Sequence, residues 1–578
     1  MKKILAAILA GTLLYACSLK EDQDSYESPQ TFYKTPVQCQ SAVNGCYPPL
    51  HAIFVPIGFF FSVEGVTDLF YTDYAQTDAQ LDISPSYSGC AATVWNNAYV
   101  GVARCNEVIY GIENICPLDM EDKMPYAAEA RVMRALYYYL LTNVFGDVPY
   151  YTFRVMTKED IAAVRDIPRI PANEIRAALY TDLKEKALPW FTAGNGLKVR
   201  TSDAPSNRSG YALCLMLMAK FAMWYEDWDG ALEPLKELEA LYGELNEENY
   251  PLEQIMWRFK NVPESIFEVQ SEYQASGIKY ACKVAYVAQP TSNGNGRYDG
   301  VSMPELGTTV IHGEGIQCNS YYGAFRPAQG NEQKENTADA QWSRGLFNPL
   351  PLTYNTYSSS LGRYSTKVDS VTVAKLLKGE SASLRGKKVD RRTVYKLGMA
   401  KLDGDYTGGG NTFTFVKNYG RPWAGPEFWR YNQTSNNDGN NYHILRYADA
   451  VLMMAECYAR KNEVDLAQKY VNLVRARALV DPLPYSSQED MLSNILDERA
   501  RELGGEFHRK WDLVRWGETE GSDLWYDRVN SFNFRVGNAA SGKSMTTLRR
   551  YHKYYPIPDT ECALTGYKLN NEAYAKNE

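Results

Sequence analysis

Glu129-Ala130-Arg131-Val132-Met133-Arg134-Ala135-Leu136-Tyr137-Tyr138, running on into Phe145-Gly146-Asp147-Val148-Pro149, is the stretch on which the fold of this chain turns. It lies inside Met124 to Phe145, a long aromatic-rich segment with helical spacing. Glu129, Arg131 and Arg134 fall close together on such a helix. Charges set beside an apolar face persist only when paired and hydrogen-bonded, so the segment reads as part of a packed scaffold.

Working outward, the helical pattern continues on both sides. Val94 to Ile112 carries Val94, Ala98, Val102, Cys105 and Ile109 at helical spacing, and Ile175 to Phe191, Tyr211 to Tyr225 and Trp228 to Tyr242 follow. The short break at Glu226-Asp227 predicts two antiparallel helices, with Trp224, Trp228 and Ala231 in the style of a helical-repeat hairpin. The device recurs as Ile444 to Arg460, a turn at Lys461-Asn462-Glu463, and Val464 to Ala478. Between the two hairpins the texture changes. Residues 270–440 hold clusters of Gly, Asn, Ser and Tyr, with short strands predicted at Ser265 to Gln270 and Thr412 to Lys417. Loops of this length are a usual location of function. The predicted class is therefore mainly α, a tetratricopeptide-like scaffold of helical hairpins with a large irregular region and a few short strands.

The N-terminus predicts a surface location. Lys2 and Lys3 precede an apolar run, Ile4 to Leu14, too short to span a bilayer, and Leu14-Tyr15-Ala16-Cys17 resembles a bacterial lipobox. Residues 1–16 then form a signal peptide, Cys17 carries the acyl chains that act as membrane anchor, and 17–30 are a tether. Lys20-Glu21-Asp22 looks like the signal that sends lipoproteins of Bacteroidota-type bacteria to the outer face of the outer membrane, although an ordinary solvated tether fits equally. Losing Lys2 and Lys3 leaves 59 of the 61 basic residues against 69 acidic ones, moving the formal charge from -8 to -10, which argues against a nucleic-acid partner. The 44 Tyr and 11 Trp suit a surface that grips amphipathic ligands such as sugars. Of eleven cysteines, ten remain beside Cys17, with no C-x-x-C pair and no zinc spacing. Cys214 and Cys457 read as buried thiols. Cys39 with Cys46, or Cys90 with Cys105 or Cys116, are candidate bridges whose pairing spacing alone does not decide.

Six blocks in order resemble the SusD/RagB family of outer-membrane nutrient-binding lipoproteins: Trp95-Asn96-Asn97-Ala98-Tyr99 with Cys105-Asn106; the 129–149 block; Pro263-Glu264-Ser265-Ile266-Phe267-Glu268; Leu445-Arg446-Tyr447-Ala448-Asp449 with Ala455-Glu456; Glu498-Arg499 with Glu502-Leu503; and Tyr555-Pro556-Ile557-Pro558. Cys562 to Tyr567 departs from the family's N-P-G-Y ending. The resemblance implies an N-terminal helical part over 31–260 and a C-terminal part over 261–578. It further implies capture of an oligosaccharide, or in some relatives a peptide, and delivery to a SusC-like TonB-dependent channel on which the protein sits as a lid.

Arg446, Asp449 and Glu456 fall at i, i+3 and i+10, and with Arg499, Glu502, Arg509, Trp511, Asp512 and Arg515 they are read as scaffold rather than ligand site. Sugar recognition pairs aromatic faces with planar amides, carboxylates or guanidinium groups. Both kinds concentrate in three loop sets: Asp68, Tyr71, Asp73, Tyr74 and Asp78, with Tyr87 and Trp95; Tyr298, Asp299, Asn319, Tyr321, Tyr322, Arg326 and Trp342; and Arg421, Trp423, Trp429 and Tyr431. Trp95, Tyr322, Trp342 and Trp423 are the expected platforms. Asp68, Asp73, Asn96 and Arg421 are the expected hydrogen-bonding partners, with Tyr74 beside them.

An enzyme is the contrasting reading. Glycoside hydrolysis needs two carboxylates flanking the bond, and candidates exist, Glu64 with Asp68 for instance, but acids four apart are common. G-x-S-x-G and H-E-x-x-H are absent and the five histidines are scattered. No cofactor is expected beyond the lipid on Cys17. Asp403-Gly404-Asp405 and Asn436 to Asn441 offer oxygen ligands that leave calcium open, but neither fits the EF-hand register and solvated turns are the simpler reading.

Overall fold

The computed structural model describes residues 32–54, 59, 62–68, 78, 81–191, 208–250, 260–271, 441–477, 482–536, 548–569 and 571–576, together with the backbone of short strands at 70–72 and within 316–389. The elements used below are helices α1 (Pro36–Asn44), α2 (Ala91–Asn114), α3 (Met120–Phe145), α4 (Ala172–Asp182), α5 (Tyr211–Trp224), α6 (Trp228–Tyr242), α7 (Tyr447–Arg460), α8 (Val464–Arg477), α9 (Gln488–Leu503), α10 (Arg509–Thr519) and α11 (Leu524–Val536). The strands are β1 (Phe70–Thr72), β2 (Ser265–Val269), β3 (Ile316–Cys318), β4 (Thr353–Ser358), β5 (Arg363–Lys367), β6 (Ala382–Leu384), β7 (Lys387–Val389) and β8 (Tyr442–Arg446). The molecule is mainly helical, as expected, and its strands form two-stranded antiparallel pairs, β1 with β3, β2 with β8, β4 with β5 and β6 with β7.

Helix α3 is the centre of the N-terminal part, and every residue from Ala127 to Phe145 is buried. It packs along α2, and the two approach closely because Gly101 lies against the Tyr137 ring, which occupies the space any Cβ would need. The charges on α3 do not pair with one another. Glu129 takes Arg208 and the Tyr47 hydroxyl, whereas Arg131 and Arg134 converge on Asp182, at 3.0 and 2.6 Å. In this way α3 is tied to α4 and to the segment before α5.

Both predicted hairpins form. The break between α5 and α6 is made by Glu226 at φ 62° and by Asp227, whose carboxylate accepts the Gly230 N–H at 2.8 Å and caps α6. The break between α7 and α8 has the same backbone device, Asn462 at φ 62°. Helices α6 and α7 then pack together, with Tyr242 stacked on Tyr447 at 4.8 Å, so the hairpins adjoin despite the long insertion between them.

Three expectations change. Ile444, Leu445 and Arg446 are strand, not the start of α7: β8 pairs with β2 and is buried along its whole length, leaving no alternation to distinguish it from a buried helical turn. The helix expected to reach Phe191 ends at Asp182 and continues as a π turn, Leu183–Ala187, then a 3-10 turn, Leu188–Trp190, around Pro189, which has no N–H to donate. None of the three suggested cysteine pairs is the one that meets. Cys39 faces Cys116, Cys46 faces Cys105, and Cys90 instead donates to Ser62 Oγ at 2.8 Å. Cys214 and Cys457 are buried thiols, as read. The expected strand Thr412 to Lys417 lies outside the described residues.

Candidate functional site

A network of buried ion pairs ties β8 to the C-terminal helices. Arg446, at the end of β8, donates to Glu264, Glu502 and Glu506, each at 2.7 Å, and Arg477 bridges Glu264 and Glu502, again at 2.7 Å. On the neighbouring helices Asp449 receives Lys220 at 2.6 Å and Arg499 at 2.8 Å, Arg499 also holds Asp512, and Arg515 forks onto Glu456 with two 2.6 Å bonds. Burial alone would raise the Asp449 carboxyl, but Lys220, His508 and Arg499 overcome it and hold the group well below the usual carboxylate range. These charges come from the motif blocks and from segments hundreds of residues apart. They are spent on each other, as the scaffold reading expects.

The same C-terminal helices clamp the loop that precedes α2. Arg509 makes a bidentate pair with Asp68 at 2.8 and 2.7 Å, with both side chains buried. Glu64 accepts the Phe507 N–H, and the Trp525 indole donates to the Val66 carbonyl at 2.9 Å. Further along, Asp78 accepts the Cys90 N–H at 2.9 Å and occupies the space beside Gly89, whose φ of +57° and lack of a side chain the turn requires. Lys510 sits buried 4.5 Å from the Tyr555 ring centre, and its burial pushes the ammonium down to about 7, while burial raises Asp78 to about 6.

Held in this way, the loop leads into β1, which pairs with β3 through Phe70 with Cys318, Tyr71 with Gln317 and Thr72 with Ile316. The first and second candidate loop sets are therefore joined at the backbone. Thr72 is followed in the chain by Asp73 and Tyr74, and Cys318 by Asn319, Tyr321 and Tyr322.

The individual candidates divide. Asp68 is corrected from a ligand contact to a supporting residue, because both its carboxylate oxygens are engaged by Arg509 in the interior. Trp95 is likewise corrected from platform to core: it is 4 % exposed and wedged edge-on against Phe145 at 5.1 Å and against Tyr99 at 4.8 Å. Its neighbour Asn96 is exposed on α2, and Tyr87, at the Ser84–Tyr87 bridge, is 60 % exposed. Asp73, Tyr74, Tyr322, Trp342, Arg421 and Trp423 lie outside the described residues, as do Asp403 to Asp405 and Cys17.

Sequence reasoning missed one feature. A pocket of about 320 Å³ is lined by Asn44, Tyr47, His51, Arg208, Glu268 and Gln270 among others. Its walls come from three distant segments, and no local motif announces it. Glu268 is fixed there by Asn441 at 2.7 Å and by the Asn261 N–H at 2.9 Å, and burial pushes His51 down to about 4.

Comparison with known proteins agrees with this architecture. Residues 411–573 match the model of the SusD family, and residues 58–190 match a model described as starch-binding associating with outer membrane. SusD-like protein P25 of Formosa agariphila is 22% identical over 99% of both chains, and SusD-like protein P2 of the same organism is 25% identical over 89% of this chain and 90% of its own. Among solved structures, surface glycan-binding protein A from Bacteroides uniformis superposes with a TM-score of 0.63 at 20% identity, covering 93% of this chain and 100% of its own. The homonymous protein from Bacteroides thetaiotaomicron in complex with laminarihexaose gives 0.57 at 19% identity, over 92% and 98%.

Proposed function

We propose, for a chain that belongs to the SusD/RagB family, that it captures oligosaccharides at the outer cell surface and passes them to a SusC-like TonB-dependent channel, over which it acts as a lid. The observation that carries this reading is the β1–β3 ladder. It joins two of the three loop sets that combine aromatic and hydrogen-bonding residues, and the buried Arg509–Asp68 ion pair with the Trp525–Val66 hydrogen bond fixes its base. The glycan-binding names of the structural neighbours, one of them holding a laminarin hexasaccharide, support the choice of ligand class.

Capture by such a surface needs no bond to be broken. Aromatic faces take the C–H side of a sugar ring, and planar polar groups take paired hydroxyls. A shallow site of this kind binds modestly and releases readily, as handover requires. The channel supplies complementary contacts, and ligand shifts the population of the closed lid. The lipid on Cys17 keeps the body at the membrane. Catalysis is disfavoured on a specific ground: Glu64 and Asp68, the candidate acid pair, are engaged by Phe507 and Arg509 in the interior and do not face a substrate. Calorimetry with a panel of glycans, laminarin oligosaccharides included, tests the ligand class. Co-purification tests the channel, and metabolic labelling with an alkyne fatty acid, lost in Cys17→Ala, tests the anchor.

A further inference from the structure

Eight cysteines are buried among the described residues, and four of them face one another in two pairs. Cys39 of α1 and Cys116, just past the end of α2, bring their sulfur atoms to 3.7 Å. Cys46, two residues beyond α1, has its thiol beside that of Cys105 in α2. One pair thus lies at each end of α1, and both lead to the same neighbouring helix. Cys90 and Cys562, by contrast, donate to a serine hydroxyl and to the Ile557 and Leu569 carbonyls.

We propose that Cys39–Cys116 and Cys46–Cys105 are disulfide bonds of the exported protein, nested cross-links that staple α1 to α2 at both ends. The inference rests on the surface location proposed above, because disulfides persist in oxidising compartments and not in a reduced cytoplasm. A bonded pair of sulfurs stands about 2.0 Å apart, so the 3.7 Å pair needs only a small side-chain rotation to close.

The chemistry is thiol–disulfide exchange with an oxidised dithiol protein of the envelope. One cysteine thiolate attacks the oxidant's disulfide and expels one of its sulfurs, forming a mixed disulfide. The second thiolate then attacks the chain's own sulfur and releases the oxidant as a dithiol. Two electrons pass to the oxidant, and the two protons leaving the chain's thiols match the two its reduced sulfurs take up. Closure belongs to folding: in the finished structure burial, reinforced by the Cys116 hydrogen bond, pushes Cys39 up to about 12, so little thiolate remains to react.

The test is peptide mapping by mass spectrometry of the full-length protein, alkylated at lysis without reductant, with protease shaving of intact cells to report surface exposure in the same sample. The expected result is a Cys39/Cys116 and a Cys46/Cys105 linked peptide, each lighter by two hydrogens than the sum of its reduced parts, while Cys90, Cys214, Cys457 and Cys562 are recovered as alkylated thiols after denaturation. Surface-exposed protein carrying all four paired cysteines as alkylated thiols overturns the inference and leaves the location standing. If shaving shows the chain retained inside the cell, the surface reading fails. Refolding the purified chain with oxidised glutathione then decides the pairing: the same two links uphold it, and other links or none overturn it. As a second readout, reductant lowers the Tm of the native chain, and leaves unmoved that of a variant combining Cys39→Ser, Cys46→Ser, Cys105→Ser and Cys116→Ser.

Discussion

At the scale of single residues, buried charges hold the scaffold, and the proposed capture of glycan falls to loop side chains. Arg446 serves three carboxylates at once, so Arg446→Met leaves Glu264, Glu502 and Glu506 with one guanidinium, that of Arg477, on two of them. Urea unfolding is expected to show a loss of about 3–5 kcal/mol, the usual cost of removing one partner from a buried pair. Trp95→Ala is expected to cost a similar ~3–5 kcal/mol by leaving a cavity against Phe145 and Tyr99, with glycan affinity per folded molecule unchanged. Acid sensitivity follows from three buried histidines, His51, His508 and His552, each pushed by burial from 6.5 to about 4. Between those values the unfolded chain binds protons that the folded one refuses, so stability falls as pH drops through that window. Asp78, raised from 3.8 to about 6, and Glu129, also raised by burial, act in the opposite sense over part of the range, two groups against three. Thermal melts from pH 7 to pH 4 are expected to show a falling Tm, with a shallower slope in His508→Asn. Trp95 also shows why the site was only partly legible. A platform tryptophan and a core tryptophan are identical in sequence, and what separates them is Phe145, 50 residues away.

Among elements, the two hairpins were readable and strand β8 was not. Glu226-Asp227 and Lys461-Asn462-Glu463 interrupt apolar helical patterns with polar residues, and both breaks use a residue at φ 62°. The left-handed conformation costs an L-residue roughly 1–2 kcal/mol, a cost Glu226 already bears, so Glu226→Val, whose branched Cβ fits that conformation worse, is expected to lower stability further in urea titrations, whereas Glu226→Gly, which escapes the cost against a larger loss of backbone entropy, is expected to be neutral or slightly stabilising. Strand β8 escaped detection because its partner β2 lies far away in the chain and both its faces are buried. Pairing across such a separation leaves no local trace. The ladder of β1 with β3 is similar: Tyr71 reads as one more loop tyrosine until Gln317 is placed opposite it.

For the whole molecule, the buried residues of the motif blocks and the proposed binding loops stand in a mechanical relation. Helices near the C-terminus grip the loop before α2 through Arg509 with Asp68, Phe507 with Glu64 and Trp525 with Val66, and that loop carries β1 into its ladder. Asp68→Asn is therefore expected to speed amide hydrogen exchange across residues 62–90 and to weaken glycan binding together with stability. Loop-aromatic variants such as Tyr322→Ala are expected to weaken binding alone. The overall architecture was legible because helical periodicity and six ordered motif blocks survive in one chain. The ligand was not, since aromatic and amide groups define a class of sugar-binding surface and stereochemistry depends on their arrangement. The most direct test of the account is calorimetry of the chain begun after Cys17, titrated with the glycan panel and checked for new reducing ends. Saturable binding of one glycan family, with no reducing ends released, is the predicted result. Binding to peptides alone, or glycan cleavage, would contradict it.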